Sequence, residues 1–232
     1  MSCSTFALNQ HTSTGLTMAT SETANSPPAR ATPARTRRAL PRAERRNQLI
    51  RATIKCVAKK GLAATTMADI TTEAGLSTGI VNLHFKTKEL LLVETLRFVT
   101  DEYKQGFDKI FVDKNSADLE IVRAIVNYDF SPQIVNRNKL AVWFAFLGEV
   151  KARPIYQKIC ARHDNDINQQ LGALFASLLK RSGNHSVDVE LIASGYSALT
   201  DGLWLDILLS PRRTSTAIAR EVAWQYVSGI IN

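Results

Sequence analysis

The stretch TMADITTEAGLSTGIVNLHFKTK, from Thr66 to Lys88, limits what this chain can fold into more than any other. Thr66 followed three residues later by Asp69 has the form of a capping box, with Asp in place of the usual Glu or Gln, and marks a helix start. That helix runs to about Ala74. Gly75-Leu76-Ser77 makes a tight turn, and Ser77 or Thr78 caps a second short helix that reaches about Phe85. Two short helices joined by a three-residue turn have helix-turn-helix geometry. Upstream, Leu49, Ile50, Thr53, Ile54, Val57 and Ala58 recur at helical spacing, and Gly61 after Lys59-Lys60 reads as the stop of a longer first helix.

The helical pattern continues to the end of the chain. Thr87 caps a helix with Glu89 in its first turn, and Ser116 opens another through about Asp129, which Ser131-Pro132 breaks. Asn138 to about Ala152 is helical, and Pro154 starts a long helix that ends near Arg181. After the Ser182-Gly183-Asn184 loop, Val187 to Ser210 and Thr214 to Ile231 complete the set, with Pro211 between them. No alternating strand pattern and no fixed-period repeat appears, so the fold is expected to be all-α.

Charge divides the chain. Residues 1–100 hold 14 Lys/Arg against 6 Asp/Glu, whereas residues 101–232 hold 15 of each, so all of the net +8 lies in the N-terminal part. A basic part joined to a neutral one predicts a polyanion-binding head and a second part with another task. Charge alone does not separate nucleic acid from anionic membrane. No apolar run is long enough to cross a bilayer. Three scattered cysteines, Cys3, Cys56 and Cys160, argue against a disulfide framework and suit a reducing, cytoplasmic setting. Residues 1–43 are rich in Ser, Thr, Pro and Arg without apolar periodicity, and are read as a disordered basic tail. A transit peptide, a DNA-contacting arm, an expression scar and an early start before Met18 all remain open for it.

Within a helix-turn-helix the second helix enters the major groove with its N-terminal residues facing base edges. Here those residues are Ser77 and Thr78, whose hydroxyls reach phosphate or bases, Gly79, which permits close backbone approach, and Asn82, a side chain suited to bidentate bonding with adenine. Ile80 and Val81 face the unit's own core. Lys86 and Lys88, beside the helix start at Thr87, suit phosphates. A packed helical hairpin with a solvated basic face is the bland alternative.

The whole stretch from Leu49 to Leu96 resembles the N-terminal domain of TetR-family repressors. Its marks are A-x-x-x-x-x-x-G-x-x-x-T-T, I-x-x-x-A-G-[LV]-S and H-F-x-x-K-x-x-L, although many members carry tyrosine where this chain has Asn82. The resemblance implies a DNA-binding domain over residues 44–98, with Thr66 and His84 joining Ser77, Thr78, Gly79, Asn82, Lys86 and Lys88 as DNA contacts. It also implies a ligand-binding and dimerisation domain over 99–232, a homodimer, and a palindromic double-stranded operator controlled by a small molecule.

In the C-terminal part three clusters stand out: Tyr128-Asp129-Phe130, Trp143 with Phe146, and Asp201 with Trp204. Asp201 and Trp204 share a helix face with Thr200, Ile207 and Leu208, whereas Asp206 lies about 140° away from Asp201. Aromatic faces beside a carboxylate are what a quaternary ammonium requires, because that cation has no N–H to donate. Plain core is the competing reading of the same aromatics. The order of these clusters, with AVWFAF at 141–146 and ALTDGLWL at 198–205, resembles the BetI-type branch, although that branch often has tryptophan where this chain has Leu147. The resemblance implies regulation of choline uptake and glycine betaine synthesis, with choline or betaine aldehyde as signal, and a dimer interface made by the last two helices.

Other readings are an unrelated aromatic or apolar ligand, a non-specific architectural DNA-binding protein, or a bundle resting on anionic membrane. An enzyme is not expected, nor a cofactor or metal: His163-Asp164-Asn165-Asp166 are adjacent on a helix and cannot all face one ion. Neither a phosphate-cradling loop nor a nucleophile elbow is present. The expected location is the bacterial cytoplasm, on DNA.

Overall fold

The structure, a computed structural model, describes residues 41–112, 117–183 and 187–231. The reading of residues 1–43 as a tail, up to Leu40, and of Ser116 as a helix start lies outside these. Among the described residues there are nine helices and no strand: α1 Arg42–Ala64, α2 Met67–Ala74, α3 Thr78–His84, α4 Lys88–Ile110, α5 Asp118–Asp129, α6 Arg137–Leu147, α7 Pro154–Ser182, α8 Val189–Leu209 and α9 Thr216–Ile231.

Local chemistry sets the ends. The Thr66 hydroxyl accepts the Asp69 N–H at 3.1 Å, and the Asp69 carboxylate accepts the Thr66 N–H at 3.0 Å, so the capping box is complete. The Lys60 ammonium, followed by these Thr66 bonds, holds the Asp69 carboxyl well below its ordinary range. Gly75 adopts φ 63°, a left-handed conformation that a side chain resists, and so reverses the chain between α2 and α3. Gly61 takes φ 79°, kinking α1, with a last turn continuing to Ala64 rather than stopping at the glycine. Ser77 occupies the N-cap position of α3 but makes no side-chain cap bond.

A second boundary also differs from the sequence expectation. α6 ends at Leu147, not near Ala152. From Gly148 the backbone tightens into three-residue bonds, Glu149 N–H to Phe146 C=O at 3.0 Å and Val150 N–H to Leu147 C=O at 3.3 Å. Arg153, forced into extended backbone by the following Pro154, closes the turn before α7.

The first three helices pack around a core of Leu49, Ile50, Val57, Ile70 and Val81, all nearly inaccessible to solvent. α4 contacts α1, α5, α6 and α7, so one continuous helix runs from the helix-turn-helix into the remaining bundle, and α1 itself packs on α6. There α8 packs on α6, α7 and α9, and α9 also packs on α5. Leu191, Leu205, Leu209, Ile218 and Val222, on α8 and α9, remain exposed within the single chain. No described helix is long and apolar enough to cross a membrane.

Candidate functional site

Two regions carry the residues singled out from sequence. On α3, Val81 is wholly buried and Phe85 nearly so, which turns Ser77, Thr78, Gly79 and Asn82 outward to solvent. Lys86 is exposed just beyond. His84 is half-buried and its Nδ1 has no hydrogen-bond partner; burial, then Arg42, Arg45 and Arg46, lower its pKa. Lys88 has an engagement within the chain. Its ammonium donates to the Leu62 and Ala63 carbonyls at 3.1 and 3.4 Å, serving the end of α1 that the kink at Gly61 disturbs. Leu83, not singled out from sequence, stands 71% exposed on the outward face of α3.

The second region lies where α4, α6, α7 and α8 meet. Two adjoining cavities of about 50 Å³ each share Tyr103, Trp143, His163 and Trp204 as walls. Each has room for a group of about four heavy atoms. The ring centre of Tyr103 lies 5.8 Å from that of Trp204 and 5.3 Å from that of His163, and Trp143 lies 6.0 Å from His163. All three pairs are edge-on, at 80°, 76° and 70°, so neighbouring rings stand as walls at right angles rather than as a stack.

Hydrogen bonds fix these walls around one buried acid. Tyr103 and Tyr196 donate their hydroxyls to the two oxygens of Asp129 at 2.7 and 2.6 Å, and the Trp204 indole N–H donates to the Asp129 carbonyl at 2.9 Å. Asp129 is wholly inaccessible. Burial raises its carboxyl to about 7, against the opposing pull of the two tyrosine bonds. Asp201 is raised to about 6, by burial first and by the charge of Asp164, while the nearby Trp143 indole pulls it back. That indole N–H makes no hydrogen bond of normal length. Asp164, at the solvent edge, is also raised by lost hydration. Burial lowers His163 to about 4, so its imidazole is neutral near pH 7 and adds no positive charge. Lys139, on the outer cavity, is held by Glu102 at 2.7 Å and by the Gln133 carbonyl at 3.1 Å.

Of the sequence candidates, Asp129, Trp143, Asp201 and Trp204 line these cavities. Tyr128, Phe130 and Phe146 do not. Tyr128 donates to the Tyr103 carbonyl at 2.9 Å, crossing α4 where Gly106 leaves space; a Cβ there would sit 2.0 Å from the hydroxyl. Phe130 is buried core, its carbonyl facing Arg220, and Phe146 packs edge-on against Tyr156 at 5.1 Å. Asp206 pairs with Arg213 at 2.9 Å, away from the cavities.

Sequence reasoning missed Tyr103, His163, Asp164 and Tyr196. Tyr103 follows Thr100 by three residues on one face of α4, a spacing that signals burial but not what it faces. His163 and Asp164 read from sequence only as an unsuitable metal pair. Among the described residues no group of three His, Cys, Asp or Glu side chains converges as a metal site would require.

Residues 49–95 match the family described as bacterial regulatory proteins, tetR family, and residues 119–232 match the BetI-type transcriptional repressor, C-terminal. The HTH-type transcriptional regulator BetI 1 of Chromohalobacter salexigens is 31% identical over 79% of this chain and 88% of its own length. A Pseudomonas aeruginosa PAO1 structure described as a transcriptional regulator is 26% identical, with a TM-score of 0.74 over 83% of this chain and 92% of that one. A regulator structure from Saccharomonospora viridis, in complex with choline, shares the fold at 21% identity, a TM-score of 0.68 and coverage of 80% and 96%. With a helix-turn-helix at one end and an aromatic, acid-lined pocket in the bundle, the chain belongs to the TetR family of DNA-binding transcriptional repressors, in its BetI-type branch.

Proposed function

We propose that this repressor senses a quaternary ammonium compound, choline or betaine aldehyde, between Tyr103, Trp143, His163 and Trp204. The observation that carries this reading is the meeting of four aromatic walls with three carboxyls, Asp129, Asp164 and Asp201, in one small space. Ring faces attract a cation, and desolvated contacts of this kind contribute about 2 kcal/mol each. Carboxyls whose pKa is raised by burial are short of compensating charge, and a bound cation supplies it. The same features disfavour a zwitterion such as glycine betaine. Among the described residues lining the two cavities the lone basic ammonium, Lys139, is committed to Glu102, which leaves no cation for the ligand's own carboxylate. The choline complex of the Saccharomonospora viridis protein supports a ligand of this class in this fold.

In this reading α3 enters the major groove, with Asn82 at a base edge and Lys86 on phosphate. The exposed apolar residues of α8 and α9 pair with a second copy, which sets two recognition helices against the halves of a palindrome.

Isothermal calorimetry with choline, betaine aldehyde, acetylcholine and glycine betaine tests the ligand. Choline or its aldehyde is expected to bind at least tenfold more tightly than glycine betaine, and equal or absent binding of all four would remove the cage assignment. An operator gel shift with excess competitor DNA tests the other half. A protected palindrome whose occupancy changes with ligand is expected, whereas uniform coverage governed only by salt would indicate non-specific binding.

A further inference from the structure

Leu83 has no role in the contacts assigned above. Along α3, at 100° per residue, Thr78, Gly79, Asn82 and Leu83 fall in one outward sector of about 140°, opposite Ile80, Val81 and His84. The leucine is 71% exposed, and none of the described residues covers it. Gly79 lies one turn before it on the same strip. A Cβ at Gly79 would meet nothing nearer than the Ser77 hydroxyl at 3.9 Å, so the surface beside Leu83 is open.

A single exposed leucine is ordinary on a protein surface. This one stands next to Asn82 on the outward face of the recognition helix, with Lys86 exposed beyond and Arg42, Arg45 and Arg46 close enough to lower the pKa of His84. That positive setting suits the DNA backbone. In the major groove, the apolar feature presented by base edges is the C5 methyl of thymine. We propose that Leu83 packs on a thymine methyl in each half-site, beside the base that Asn82 contacts, and so specifies T over C at that position. The proposal rests on the reading of the chain as a sequence-specific repressor.

Two steps test it. Selection from a randomised duplex pool by the full chain returns the preferred operator; a failure to enrich any sequence would overturn both this proposal and the sequence-specific reading. Each thymine of that operator is then replaced by uracil, which removes only the methyl group, and the affinity is measured for the wild type and for Leu83→Ala. One thymine per half-site is expected whose replacement weakens the wild type about fourfold, or about fifteenfold when both half-sites are changed, from the burial of one methyl each. Leu83→Ala should bind the thymine and uracil operators alike at that position, with an unchanged melting temperature because the side chain is exposed. An enriched operator with no uracil-sensitive thymine, or equal sensitivity in Leu83→Ala, would overturn the assignment of Leu83 alone. A uniform loss by Leu83→Ala on every sequence would point instead to a sugar or backbone contact.

Discussion

Asp129 sits among the proposed cage residues as a wholly buried carboxyl with two tyrosine donors and, among the described residues, no cation paired with it. Its proton is held to about pH 7, whereas an unfolded aspartate loses it near its ordinary value of 3.8. Between those values the folded state binds more protons at Asp129 than the unfolded one, so the Asp129 contribution to stability falls as pH rises, while His163, lowered to about 4, contributes in the opposite sense below its ordinary 6.5. The fall is of order 2–4 kcal/mol across that window. Urea midpoints at pH 5 and pH 8 for the wild type and for Asp129→Asn, which keeps the shape and removes this ionisation, isolate that contribution: stability relative to the variant should fall from pH 5 to pH 8 in the wild type, and an identical pH dependence of the two proteins would overturn it. Asp201 gives the matching binding prediction. Choline affinity should weaken as pH drops from 7.5 to 5, through the values near 7 and 6 at which Asp129 and Asp201 take up protons. Asp201→Asn should lower the affinity about tenfold at pH 7.5 and flatten part of that dependence, both readable by calorimetry.

At the scale of elements, the short α2 and α3 depend on their ends more than on their own propensity. Thr66→Ala should cost about 1 kcal/mol of stability through loss of the capping box, and Thr66→Ser should retain it. If Thr66 also touches phosphate, Thr66→Asn separates the two effects, since it keeps a capping acceptor and removes the hydroxyl. Lys88 requires a similar separation. Its bonds to the carbonyls at the end of α1 mean that Lys88→Ala should lower thermal stability by about 1 kcal/mol as well as weakening every DNA sequence alike. A melting temperature equal to the wild type's would show that the ammonium does not hold α1. Lys86, exposed beside it, should affect DNA binding without any loss of stability.

Across the whole molecule, α4 is shared by both ends, and α6 of the bundle also packs directly on α1. The first turn of α4 is tied to α1 through Lys88 and to α7 through Glu89, which meets Arg153 and accepts the Tyr156 hydroxyl at 3.1 Å. Farther along, the same helix contributes Tyr103 to the pocket. Tyr156 in turn packs on Phe146 of α6, the helix that carries Trp143. Arg153→Ala should therefore leave choline affinity unchanged while reducing the ligand's effect on operator affinity by about 1 kcal/mol, measured as the change in operator affinity with and without ligand. An unaltered ligand effect would show that the Glu89–Arg153 contact plays no part in the coupling.

The sequence by itself determined whatever depends on neighbours along the chain. The capping box at Thr66, the left-handed turn at Gly75, the outward Asn82 and the separation of Asp201 from Asp206 all follow from residues within one or two helical turns. The family motifs were legible for the same reason, because they lie in one continuous stretch. What only the tertiary structure decided is which aromatic residues face a cavity and which are core. Tyr128, Phe130 and Phe146 looked as suitable as Trp143 and Trp204, yet they pack into the interior, while Tyr103 and Tyr196 come from α4 and α8 to bond Asp129 and His163 of α7 lines the same cavity. Helical periodicity reports that a side chain faces inward. It does not report which helix crosses opposite, and the pocket exists only where four such faces meet.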